Sequence, residues 1–97
     1  MSGSGEGGAK APPSMPLINF PTFYTFKAMG LAGGMRDRIV ALVEGVVGPL
    51  DQASVTVRPS SAGKYESITV QVYLRTEEER RAVYEAFHAD KAIVWYV

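Results

Sequence analysis

The sequence predicts an α+β fold in which a four-stranded antiparallel sheet carries two helices on one face. Short segments of alternating apolar and polar residues indicate strands, and two longer segments with apolar residues at helical spacing indicate helices. These elements follow in the order βαββαβ. Two right-handed crossovers joined by a hairpin then place the first and third strands in the centre of the sheet.

The first strand is predicted over Thr22–Met29, an aromatic-rich segment that a glycine-containing loop follows. Alternation places Tyr24, Phe26 and Ala28 toward the helices and Thr25 and Lys27 on the opposite face. The first helix is predicted over Met35–Val47, and Gly48-Pro49 should end it because proline cannot continue a helix. Its apolar stripe consists of Met35, Ile39, Leu42, Val43 and Val46.

A hairpin follows the first helix. Its strands are predicted over Ser54–Pro59 and Tyr65–Leu74, with a turn at Ser60–Lys64. The longer strand shows clear alternation, with Ile68, Val70, Val72 and Leu74 pointing inward. The two strands that the topology makes central are also the longest, so strand length and topology agree.

The second helix begins at Thr76, and Glu79 three residues later forms a capping-box pattern. Its apolar stripe consists of Val83, Ala86 and Phe87. The last strand, Ala92–Val97, is apolar on both faces. We expect Ile93 and Trp95 to point inward and Val94 and Tyr96 to point outward.

The elements therefore predict a ferredoxin-like sandwich with one sheet face left open. That face should present Thr25, Lys27, Thr56, Arg58, Thr69, Gln71, Tyr73, Val94 and Tyr96. Antiparallel sheets often leave one face in water, so simple exposure is one interpretation. Packing against a second subunit, through the face or the last strand, is the other.

Composition narrows the class of protein. The chain has 97 residues, enough for one domain, which we place at residues 17–97 after a flexible Gly-, Ser- and Pro-rich tail at residues 1–16. A formal net charge of +0 argues against nucleic acid or an anionic membrane as the main partner, because domains that bind polyanions usually carry a basic excess. Since there is no cysteine, signal peptide or long apolar segment, we predict a cytoplasmic protein.

No residue pattern indicates catalysis, a metal or a cofactor. His88 is the only histidine, and we expect it to be solvated at the end of the second helix. Glu77, Glu78 and Glu79 suit a helix N-terminus better than acid–base chemistry. The glycines from Gly30 to Gly34 lack dinucleotide-binding spacing, although a helix N-terminus after them could hold an anion.

Three segments resemble the YbeD-like family of small bacterial proteins of unknown function. They are Phe20-Pro21-Thr22 continuing through Phe26–Gly30, the run Arg58–Val70 with its Arg-Pro-Ser-Ser-x-Gly-x-Tyr-x-Ser pattern, and Val83-Tyr84. The resemblance implies a ferredoxin-like fold similar to ACT regulatory domains, which sense amino acids and pair through their sheets. It also implies a shared role for Arg58, Ser60, Ser61, Gly63, Tyr65 and Ser67, either in the turn or in recognition.

We therefore predict a non-catalytic regulatory or binding module for a small molecule or a protein partner, acting as a homodimer. The candidate binding residues are Lys27, Gly30, Arg58, Ser60, Ser61, Gly63, Tyr65, Ser67, Tyr73 and Tyr96. The alternative is an RNA-binding module, since RNA-recognition domains share this topology. Such domains stack bases on central-strand aromatics, whereas Thr69 and Gln71 supply no ring here.

Overall fold

The computed structural model describes residues 18–97, so the predicted tail at residues 1–16 lies outside the described residues. The elements are β1 (Thr22–Leu31), α1 (Met35–Val47), a 3₁₀ turn (Gln52–Ser54), β2 (Val55–Pro59), β3 (Tyr65–Leu74), α2 (Glu77–Ala89) and β4 (Ile93–Tyr96). Strand β1 extends two residues beyond the predicted end at Met29, because Gly30 and Leu31 pair with Glu66 and Tyr65 of β3. The order βαββαβ is as predicted.

The four strands form one antiparallel sheet in the order β2-β3-β1-β4. Strands β1 and β3 are central and pair along their whole length, from Thr22 opposite Leu74 to Leu31 opposite Tyr65. Strand β2 pairs only with the first part of β3, from Pro59 opposite Glu66 to Val55 opposite Val70. This confirms the ferredoxin-like fold.

The core lies between the sheet and the two helices. Alternate residues of β1 and β3 point into it, and Phe26 is 0% exposed. The buried core consists of Phe26, Ala28, Met35, Ile39, Val43, Ile68, Val70, Val72, Leu74, Val83, Phe87 and Ile93. The predicted stripes of both helices face this core, and Val40 of α1 is buried as well. The opposite face of the sheet is therefore the open face.

The start of α2 follows the predicted capping pattern in part. Thr76 Oγ1 accepts a hydrogen bond from Glu79 N at 3.2 Å. The Glu79 carboxylate reaches one residue farther back than predicted, where it accepts from Arg75 N at 2.8 Å and pairs with the Arg75 guanidinium at 2.7 Å. Both contacts favour the ionised carboxylate, so the pKa of Glu79 lies below its ordinary 4.5.

The lowered pKa of Glu79 makes the stability of the domain dependent on pH. The stabilising effect of this carboxylate is fully present above pH 4.5 and is lost as the pH falls through the folded-state pKa. We expect Glu79→Gln to lower the free energy of unfolding by up to about 1 kcal/mol at neutral pH. Urea denaturation across acidic pH should show wild type and variant converging.

Glu78→Gln is the matched control for this prediction, since Glu78 is exposed in the same helical turn. Its carboxylate forms no ion pair among residues 18–97. The lowered pKa of Glu79 would be contradicted if the stability difference between Glu79→Gln and wild type stayed the same at acidic pH.

Strand β4 contains a bulge that the sequence pattern did not predict. Tyr96 pairs with Ala28, Trp95 with Met29, and Ile93 with Gly30, which leaves Val94 as an extra residue. Ile93 faces the core as predicted. The placement of the next residues was wrong, because the bulge reverses their faces: Trp95 lies on the open face and Tyr96 on the side of the helices.

Candidate functional site

The open face is the most unusual surface of the molecule, because large apolar side chains gather there. Phe23 is 65% exposed and Trp95 is 45% exposed. By strand register, the apolar residues on or beside this face are Phe23, Met29, Leu31, Tyr65, Tyr73, Trp95 and Val97. Exposed apolar side chains grouped on one face are typical of an interaction surface.

A polar group lies in the middle of the open face. One cross-strand row contains Thr56, Thr69 and Lys27, and the next contains Arg58 and Ser67. We call these five residues the cationic patch. Two of them carry positive charge, and all five can donate hydrogen bonds to an anion.

The two cations of the patch can act on one ligand. Lys27 on β1 and Arg58 on β2 lie two strands and one row apart, so their Cα atoms are separated by about 12 Å. Both side chains are long enough to reach an anion held above Ser67 and Thr69. Neither cation forms an ion pair within residues 18–97.

The charges on the opposite side of the domain are largely paired. Arg38 contacts Asp90 at 2.7 Å, and Arg80 and Arg81 both contact Glu77. The hydrogen bond from Arg38 keeps the pKa of Asp90 below its ordinary value. Lys27 and Arg58 differ from these cations because the open face supplies no Asp or Glu side chain at the sheet positions around them.

The hairpin turn uses two of the predicted site residues for its own structure. Ser60 Oγ accepts from Tyr65 N at 3.1 Å, and Gly63 N donates to Ser60 O at 2.9 Å. Gly63 has a φ of 75°, a conformation that favours glycine. Ser61 is exposed at the tip of the turn. The geometry therefore supports the turn interpretation for Ser60 and Gly63.

Tyr65 and Tyr73 lie at opposite ends of the open face. Tyr65 faces Leu31 across the strands, and Lys64 Nζ lies 5.5 Å from the centre of its ring. The ring of Tyr73 meets that of Phe23 edge to face at 5.1 Å. The structure thus brings Lys27, Arg58 and Ser67 together and places the two tyrosines beyond them.

Two predicted site residues lie on the helix side of the sheet and so cannot take part in binding at the open face. Gly30 is buried on the helix side, where an added Cβ would meet Met35 and the carbonyl oxygen of Ala92. Tyr96 also turns to that side, packing on Phe87 with its hydroxyl 3.1 Å from His88 Nδ1. Gly30 is therefore needed for packing, and Tyr96 belongs to the helix–sheet interface.

Five residues of the open face were not predicted from the sequence: Phe23, Met29, Leu31, Trp95 and Val97. Alternation along a strand that continues to Leu31 would have found the first three. Trp95 could not be found in this way, because the Val94 bulge leaves no trace in the apolar pattern.

A second polar cluster lies between α2 and the sheet. The Arg80 guanidinium donates to Glu77 at 3.0 Å and lies within 5.6 Å of the ring centres of Tyr24 and Tyr84. The two tyrosine hydroxyls are 2.9 Å apart, and burial, followed by this contact, raises the pKa of Tyr84. Because every member has a partner, this cluster fastens α2 to β1.

The described residues contain no cluster of metal-ligating side chains and no membrane-spanning helix. Within residues 18–97, no three His, Cys, Asp or Glu side chains lie together as a metal site would require. No helix in the same part of the chain has the length and apolar character to cross a membrane.

Comparison with known proteins identifies the family. The family described as protein of unknown function (DUF493) matches residues 15–97. The chain belongs to this family. The predicted resemblance to YbeD-like small bacterial proteins is confirmed, since the relatives of this chain are bacterial UPF0250 proteins.

The matches to relatives cover most of this chain and most of each relative's own length. A UPF0250 protein of Shewanella piezotolerans is 38% identical over 69 residues, covering 70% of this chain and 76% of its own length. UPF0250 protein NMC1112 of Neisseria meningitidis is 33% identical over 78 residues, covering 79% of this chain and 86% of its own length. The solution structure of HP0495 from H. pylori superposes with a TM-score of 0.70 at 16% identity, over 88% of this chain and 90% of that one. This last likeness supports the fold.

Proposed function

We propose that this protein is a non-catalytic, cytoplasmic binding module that forms a homodimer through β4 and presents the open face to a partner. The observation that carries the proposal is the concentration of exposed apolar side chains on β4 and the open face. The cysteine-free sequence supports the cytoplasmic location. A regulatory role would follow if partner binding and dimerisation are coupled.

Strand β4 is the element that supports self-association. It lies at the edge of the sheet, so the backbone groups on its outer side lack a neighbouring strand within the described domain. Val94 is 58% exposed, and Val97, just beyond the strand, is 55% exposed. A second copy added antiparallel to this edge would pair the backbone groups and cover these apolar side chains.

The charges of the open face favour the edge over the face as the dimer contact. A face-to-face dimer would set Lys27 and Arg58 of one copy against those of the other. No sheet position of that face supplies an Asp or Glu side chain to offset the repulsion. Edge pairing avoids this cost and leaves the cationic patch accessible in both copies.

The dimer is tested by replacing Val94, an exposed residue of β4 that the second copy would cover. We expect the wild type to sediment as a dimer at high micromolar concentration. Val94→Glu should weaken self-association by roughly thirtyfold, because it would bury an unpaired carboxylate against the second copy. Sedimentation velocity over a concentration series measures both.

Val57→Glu is the matched control, since Val57 is an exposed apolar residue on the opposite edge strand, β2. It should leave the dimer intact, and circular dichroism should show both variants folded. A wild type that stays monomeric at high micromolar concentration would rule out the dimer.

A further inference from the structure

We propose that the open face binds an extended acidic segment of a partner protein, whose carboxylates contact Lys27 and Arg58 and whose apolar side chains pack on Met29 and Trp95. This inference rests on the proposed function, because it requires the open face to be a binding surface. It adds the chemical class of the partner.

The charge of the patch defines the first feature of that partner. Lys27 and Arg58 are exposed, and neither forms an ion pair within residues 18–97. Ser67 and Thr69 between them can donate hydroxyl hydrogen bonds. A carboxylate above these two hydroxyls would therefore meet two cations and two donors.

The surroundings of the patch define the second feature. In the row that contains Arg58 and Ser67, the next residues across the sheet are Met29 and Trp95. In the neighbouring row, Lys27 lies beside Val97, with which it exchanges backbone hydrogen bonds of 3.0 and 2.8 Å. A chain crossing the sheet therefore passes from cations to apolar side chains, so the segment should combine acidic and apolar residues.

A protein segment fits this surface better than single-stranded RNA. Proteins that bind single strands combine a cationic groove with aromatic rings on which successive bases stack. Here the middle of the open face carries Thr25, Thr69 and Gln71, and the Phe23 and Tyr73 rings pack on each other at one end. Tyr65 and Trp95 lie two strands and one row apart, so they form no continuous stacking platform. Two patch cations also provide few phosphate contacts.

The test uses synthetic peptides of alternating glutamate and leucine, with matched glutamine–leucine and lysine–leucine peptides, each carrying the same fluorophore. We expect anisotropy titrations to show that the full chain binds the glutamate peptide roughly tenfold more tightly than the glutamine peptide. The lysine peptide should not bind. Affinity for the glutamate peptide should fall as salt rises from about 50 to about 200 mM.

Variants locate the binding on the open face. Lys27→Gln and Arg58→Gln should each weaken binding of the glutamate peptide by roughly two- to fivefold, the range for exposed ion pairs. Lys91→Gln is the matched control, because Lys91 is an exposed cation on the loop between α2 and β4 and forms no ion pair within residues 18–97. The double variant Lys27→Glu with Arg58→Glu should prefer the lysine peptide.

Several results would overturn the inference. They are equal affinity for the glutamate and glutamine peptides, no binding of any peptide, a preference that the double charge reversal leaves unchanged, and binding of a mixed-sequence RNA in place of the glutamate peptide. Sedimentation of the same samples separates this inference from the proposed function. If the dimer stays intact but the glutamate peptide is not preferred, the acidic partner is ruled out while the proposed dimer stands.

Discussion

Replacing Phe26 by alanine should lower the free energy of unfolding by about 3–5 kcal/mol, the usual cost of removing a fully buried aromatic side chain. Phe26 is 0% exposed, and its ring lies 5.0 Å from that of Tyr84 and 6.0 Å from that of Phe87. The variant would lose this apolar burial and leave a cavity between β1 and α2. Urea denaturation followed by circular dichroism measures the difference.

Phe23→Ala is the matched control, because it removes the same side chain from the same strand on the opposite face. Phe23 is 65% exposed, and its ring meets that of Tyr73 edge to face. Losing the Phe23 ring should lower the free energy of unfolding by about 0.5–1.5 kcal/mol, the contribution of an aromatic pair. If both variants lost the same stability, the assignment of β1 faces would be wrong.

Replacing Gly30 by alanine should lower the free energy of unfolding by about 1–3 kcal/mol through overpacking. The new Cβ would lie 2.5 Å from the Ala92 carbonyl oxygen and even closer to the end of the Met35 side chain. Met35 can change rotamer, but the Ala92 oxygen belongs to the backbone just before β4. The strain should therefore act on the β1–β4 pairing.

Gly45→Ala is the control for Gly30→Ala, because the two substitutions are chemically identical. Gly45 lies in the last turn of α1, where an added Cβ meets nothing within 4 Å. Alanine should raise the free energy of unfolding there by about 0.5–1 kcal/mol, since glycine is a poor helix former. Changes of equal sign in the two variants would contradict the packing assigned to Gly30.

These stability predictions bear on function because both candidate surfaces depend on how β1 and β4 pair. The pairing places Trp95 beside Met29 and next to the cationic patch. A change that shifted this register would move Trp95 away from the open face without touching Lys27 or Arg58. Binding of the acidic peptide should therefore be sensitive to Gly30→Ala as well as to the patch itself.

Much of the candidate site could be predicted from the sequence. Alternation alone placed Lys27, Arg58 and Ser67 on outward positions, and the strand order then brought them side by side. The pattern could not distinguish a turn residue from a recognition residue, so Ser60 and Gly63 were resolved only by their hydrogen bonds. Gly30 was misplaced because the predicted first strand ended at Met29, and Tyr96 because the bulge at Val94 reverses the faces of the residues after it.

Residue patterns within single segments were enough to predict the order of the elements, the faces of the central strands and the apolar stripes of both helices. Those features depend on periodicity within a segment, which local residue types specify. The tertiary structure alone decided the Val94 bulge, the placement of Trp95 and Tyr96, and the lack of space beside Gly30. These depend on which backbone lies next to which, and residues distant in the chain set that relation.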